Sequence, residues 1–166
     1  MKKIVSALLS LIFLFSINVN AEEKLTIEKQ LVGIVGAISG TVKTETRELK
    51  AGDQIYLNET IYAGPGSGTQ ILLLDQSTFT VGEDSEVVMD TFVFDPETND
   101  GKIVASVKQG SLKVISGLIS KKNPDSLTVE VPEGTLGSRG TEFQTIVSKG
   151  KTDTLLIGPG KNNTLG

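Results

Sequence analysis

From residue 34 onward the chain is a succession of short runs with alternating apolar side chains, each closed by Gly, Asn, Asp or Pro. That punctuation is what most limits the fold, because strands alternate with a period of two and helices with 3.6. In "SLTVEVPEG", Leu127, Val129 and Val131 share one face and Thr128 and Glu130 the other. "DQIYLNETIYAG" pairs Ile55 with Leu57 and Ile61 with Ala63, with a turn at Asn58-Glu59. "EFQTIVSKGKTDTLLIG" sets Phe143, Thr145 and Val147 on one face. The unbroken run Ile71–Leu74 predicts a strand buried on both faces. Ile103, Ala105 and Val107, then Leu112 and Val114, flank Gln109-Gly110-Ser111, which predicts a hairpin. No window after residue 22 keeps a helical period over three turns. The 18 glycines, about 11% of the chain against a usual 7% or so, fall at the ends of these runs and read as bends. The expected fold is therefore all-β, a single domain of short antiparallel strands, sandwich-like or roll-like.

The N-terminus reads as an address. Lys2 and Lys3 precede a 14-residue apolar run, Ile4–Ile17, and "NVNA" puts Val19 and Ala21 at small-residue cleavage positions. The run is shorter than the roughly 20 residues that span a bilayer. Residues 1–21 are expected to be a signal peptide, 22–33 a linker, 34–157 the β domain and 158–166 a tail. The expected location is periplasmic or secreted, with no membrane span once the signal is cut.

Composition narrows the chemistry. With no cysteine and no histidine, the chain lacks thiolate nucleophiles, disulfides and the commonest general base and metal ligand. An enzyme is not expected, nor a cofactor or metal. Loss of Lys2 and Lys3 takes the basic count from 16 to 14 against 20 acidic residues, and the net charge to −6. That disfavours nucleic acid, which demands a basic surface.

Three stretches invite a site reading. "DPETNDG" spaces Asp95, Glu97 and Asn99 like a calcium loop, yet the positions that should hold glycine and a bidentate acid are Asp100 and Ser106. It reads as a polar hairpin loop turning at Asp100-Gly101. "GEDSE", residues 82–86, offers carboxylates that read as solvated loop charges. Asn58 and Asn162 sit in glycosylation-type triplets.

The third stretch is "GTLGSRGTEF", residues 134–143. A phosphate-cradling loop must open a helix, whereas this one runs into the strand-like "EFQTIV". The remaining reading is a structural turn motif of Gly134, Gly137, Arg139, Gly140 and Thr141, its glycines able to take positive φ. Arg139 can tie loop carbonyls or a carboxylate, and it is also the one weak ligand-binding candidate, for an anion.

Here "TVEVPEGTLGSRGTEF" resembles the signature of the FecR-like domain family. "LKAGDQIYLNETIYAGPGSGTQILLLDQSTFTVGEDSEV" is similar to the family's earlier block, with its Ala-Gly-Asp turn, Thr-Ile-x-x-Gly step and Asp-x-Ser strand. "FVFDPETNDGKIVASVKQGSLKVISGLI" resembles the linking segment of an exported branch, and the likeness covers about residues 34–147. Ser138 departs from the apolar or β-branched residue usual there. The resemblance implies an exported, non-catalytic binding or sensory module whose partner is a small ligand, an envelope component or a protein. A structural or surface module of a larger exported protein is the alternative. The family's iron-citrate regulator has a cytoplasmic segment for a sigma factor, and a signal sequence starting at residue 1 does not support that role.

Overall fold

The structure, a computed structural model, describes residues 29–138 and 141–159. The signal segment, Arg139, Gly140 and Asn162 lie outside the described residues. Among these residues twelve strands follow one another: β1 Leu31–Ser39, β2 Val42–Lys43, β3 Gln54–Tyr56, β4 Thr60–Ala63, β5 Gly68–Leu73, β6 Thr78–Val81, β7 Ser85–Phe94, β8 Gly101–Ile115, β9 Leu127–Val131, β10 Gly134–Ser138, β11 Thr141–Ser148 and β12 Lys151–Pro159. One helical turn, α1 Leu118–Lys122, and a 3-10 turn, Pro124–Ser126, link β8 to β9. The all-β, single-domain expectation holds. Among the described residues every strand pair is antiparallel except β8–β9, which is parallel.

The sheet curls into two arms that share β8. The first half of β8 lies between β7 and β9, in an arm ordered β2-β4-β7-β8-β9-β10. Its second half lies between β6 and β11, in an arm ordered β3-β1-β5-β6-β8-β11-β12. Both arms contribute to one continuous core, where Ile55, Ile61, Ile71, Phe79, Ile103 and Leu112 are fully buried. Burial of each such side chain stabilises by about 1.5–3 kcal/mol.

The expected hairpin at Gln109-Gly110-Ser111 is absent, since β8 runs unbroken for 15 residues. The turn-like residues bend the strand instead. Ile103, Ala105 and Val107 point inward at odd positions, whereas Leu112 and Val114 do so at even ones. The change of phase falls between Val107 and Gln109, which lie opposite the consecutive residues Val87 and Glu86 across a bulge, just before Gly110, whose φ is +83°. A bend of this kind is how a strand passes from one sheet to the other at a sandwich corner. A Cβ at Gly110 would lie inside van der Waals contact with the Cα and Oγ of Ser85. The Ser85 hydroxyl accepts from Ser111 N at 2.8 Å and donates to the Glu83 carbonyl at 3.1 Å, so it fixes the bend.

Two further expectations change. Ile71 and Leu73 are buried, but Leu72 and Leu74 are 39% and 47% exposed, so β5 is covered on one face only. Its outer face carries the apolar pair Ile34–Leu72, directly opposite each other across β1 and β5. The β7–β8 connection is a hairpin, but its positive-φ residue is Asn99 (φ 59°), and Gly101 already belongs to β8. The Asp95 carboxylate makes the turn by accepting from Glu97 N and Thr98 Oγ1.

These differences predict opposite fates for two glycines. Gly110→Ala should cost about 2–5 kcal/mol, combining positive-φ strain with overpacking against Ser85. Gly137→Val, in an extended strand with open space where a Cβ would stand, should change stability by no more than about 0.5 kcal/mol. Urea midpoints of the two variants check this, and equal losses would contradict it.

Candidate functional site

Beside the Gly110 bend the surface is concave. A cleft of about 440 Å³ is lined by Lys43, Tyr62, Pro65, Asp84, Glu86 and Gln109 among others. A second, of about 630 Å³, continues past Asp84 and Gln109 to Ser111, Ile146 and Lys149. Asp84 and Gln109 line both, so the two form one groove across the corner where β8 changes arm.

Strand register builds the first half of this groove. Lys43 lies opposite Tyr62, Tyr62 opposite Glu86, and Glu86 opposite Gln109. The chain neighbours Val42, Ile61, Ala63 and Val87 are buried, so alternation turns Lys43, Tyr62 and Glu86 outward, and the bulge after Val107 turns Gln109 to the same side. Asp84 holds a positive φ of 50°, rare for a residue other than glycine. Gln109 Nε2 donates to the Asp84 carbonyl at 3.1 Å and Asp84 N donates to Gly64 O at 3.3 Å, which keeps that turn in place. Glu83 Oε2 accepts from Gly66 N at 2.9 Å, so this carboxylate is committed to the rim. Among the described residues no ion pair or side-chain hydrogen bond engages the Lys43 ammonium, the Tyr62 hydroxyl, or the Asp84 and Glu86 carboxylates. The groove therefore presents one aromatic ring and several uncommitted polar groups of both signs.

The residues singled out in the sequence separate. The carboxylates of "GEDSE" do reach the groove: Glu83, Asp84 and Glu86 line it. Gly134 and Gly137 lie within β10, which pairs with β9 from Gly134↔Val131 to Ser138↔Leu127. Neither has positive φ, because the reversal is made by the tight turn at Pro132-Glu133. Thr141 opens β11, opposite Pro159. Arg139 and Gly140, lying outside the described residues, have no place assigned. Asp95 and Asp100 point to no metal. Asp100 pairs with Lys122 at 2.8 Å and accepts from Asn123 at 3.2 Å, while Asp95 is spent on its own turn. Among the described residues no group of three or more acids could hold a metal ion.

Lys43, Tyr62 and Gln109 were not foreseen. Alternation marked Tyr62 as outward, but only register sets these three beside Glu86.

The pieces that carried the family resemblance meet in the interior instead. Asp75 and Ser77, both fully buried, bond to each other through Ser77 N (3.0 Å) and Ser77 Oγ (2.8 Å). Gly117 N donates to Ser77 Oγ at 2.9 Å, and Leu118 N to Asp75 O at 2.8 Å. The Asp-x-Ser segment and Gly117-Leu118 of the linking segment thus form one latch closing the β5–β6 hairpin onto α1. Gly117 has no room for a Cβ against the Asp75–Ser77 backbone.

Fold and groove together define an all-β module with a polar cleft at its sheet corner. The FecR protein family model matches residues 59–157, more than half of the chain, and the protein belongs to that family. No curated protein and no solved structure matches it.

The β7–β8 loop carries a pH signature. Hydrogen bonds from Thr98 and Glu97 N hold the Asp95 carboxyl below its ordinary value of 3.8. A hydrogen bond from Lys122, with its charge, does the same for Asp100. Carboxyls lowered on folding stabilise fully above the unfolded value and lose that contribution as pH falls through the folded one. NMR titration should therefore find both groups ionising below 3.8, with the loop loosening only under that pH. Ionisation at or above 3.8 would contradict the hydrogen-bonded geometry.

Proposed function

We propose that this FecR-family protein is an exported, non-catalytic binding or sensory module, and that the groove at the β8 corner is where its ligand sits. The ligand is a small molecule, an envelope component or a partner protein. The observation that carries this reading is the groove's set of polar side chains left unspent by the fold, gathered on strand positions whose backbone is rigidly paired. Buried polar groups elsewhere in the domain, such as Asp75 and Ser77, are committed to one another. Absence of histidine and cysteine supports a non-catalytic role. The charged, apolar and small-residue order of residues 2–21 supports export.

A second reading, a structural or surface module of a larger exported protein, is favoured by β12. Leu155 and Leu156 point to opposite sides of this edge strand, and each is 64% exposed.

Fractionation of a Gram-negative host should recover the protein in the periplasm or medium with Glu22 as its first residue. NMR spectra of that material, titrated with a soluble envelope extract, should shift amides around Asp84, Glu86 and Gln109. Retention in the cytoplasm, or shifts confined to β12, would contradict the binding-module reading, the latter in favour of the structural one.

A further inference from the structure

The row Lys43–Tyr62–Glu86–Gln109 crosses four neighbouring strands at one level of the sheet. With strands about 4.8 Å apart, it is roughly 14 Å long. It offers, in order, a cation, an aromatic ring, a carboxylate and an amide. We infer that this row is a saccharide platform, binding a short, uncharged glycan along the groove. The inference rests on the groove being the ligand site and adds the chemical class.

Each position fits that class. A phenol ring is broad, apolar on its face and polar at its tip, so it can lie against the C–H face of a pyranose while its hydroxyl stays wet. Among the described residues the only cations set over an aromatic ring are Lys29 and Arg47, and both sit on Tyr56, so no cation occupies the face of the half-buried Tyr62. A carboxylate accepts at two oxygens, and an amide both donates and accepts. Glu86 and Gln109, side by side, can therefore receive and return the hydrogen bonds of neighbouring hydroxyls or of an N-acetyl group. Gln109 Nε2 is partly used on the Asp84 carbonyl, which orients the amide before any ligand arrives.

Other ligand classes fit less well. A polyanion would meet Asp84 and Glu86, and a polycation would meet Lys43 and Lys149 at the two ends of the groove. A peptide interface draws its affinity from large apolar anchors seated in pockets. Besides Tyr62, the apolar side chains lining the groove are Ala63 and Pro65 in the cleft that holds the row, and Ile146 and Val147 in the adjoining one, so a second aromatic anchor is missing from its lining.

The test is an NMR titration of the purified protein with the N-acetylglucosamine trimer, a neutral glucose trimer and, separately, a cell-wall stem tetrapeptide. At least one saccharide should shift Lys43, Tyr62, Glu86 and Gln109 together. Tyr62→Ala should weaken that binding by about tenfold or more, while Tyr62→Phe, which keeps the ring, should bind nearly as the parent does. Gln109→Ala, at an exposed position, should keep the dispersed spectrum of a folded domain and weaken the binding as well. A row that no saccharide moves overturns the inference, as does saccharide binding indifferent to both Tyr62→Ala and Gln109→Ala. If the tetrapeptide alone shifts the row, the glycan inference fails and the groove stands as the ligand site. If neither these probes nor whole envelope extract moves it, both fail.

Discussion

Everything in this domain depends on β8 staying one strand while it changes arm. A backbone that crosses a sandwich corner must bend without leaving its hydrogen-bonding groups unpaired, since an orphaned buried group costs about 1–3 kcal/mol. Gly110 supplies the bend, and the Ser85 hydroxyl takes up the Ser111 N–H there. Pairing resumes at once on the far side, with Gly110 opposite Val147 and Leu112 opposite both Val81 and Thr145. The arms consequently share a spine, and the core is continuous across it. The same bend opens the groove, because a crossing strand cannot fill both sides of the corner it turns.

Two internal clamps hold the arms while leaving the groove unencumbered. The Asp75–Ser77–Gly117 latch fixes the connection that leaves β8. In the β3–β4 connection the buried Glu59 receives both Arg47 guanidinium nitrogens at 2.7 and 3.1 Å and Tyr56 N at 3.1 Å. A bidentate pair with a third donor satisfies the carboxylate well enough to justify its burial. This clamp pins the β3–β4 turn, where Asn58 takes φ 63°. These polar groups are turned onto one another, whereas among the described residues the Lys43 ammonium, the Tyr62 hydroxyl and the Glu86 carboxylate on the β2-β4-β7 surface have no ion-pair or side-chain hydrogen-bond partner.

Period-two patterning identified the fold class because the inward positions of β9 and β11 alternate throughout, and those of β7 and β8 alternate on either side of a bulge. It misjudged Gln109-Gly110-Ser111 because a phase change between odd and even apolar positions is common to a hairpin and to a strand that bulges. Only pairing partners separate the two. The Ile71–Leu74 run misled for a related reason: aliphatic residues are tolerated on a sheet's outer face, so continuity does not prove burial on both sides. "GTLGSRGTEF" drew attention through its glycines, yet Gly134 and Gly137 are extended and unconfined. The groove was nearly invisible in the sequence. Lys43 and Gln109 are 66 positions apart, and only the register of four strands sets them in one row.

The most direct test of the shared spine is native-state hydrogen exchange along β8. If one strand carries both arms, the protected amides of Ile103–Val107 and of Leu112–Val114 should open with a single free energy, equal to that of global unfolding. Opening energies that differ between the two halves by about 2 kcal/mol or more would show the arms to be separate cooperative units joined at Gly110, and would contradict the account.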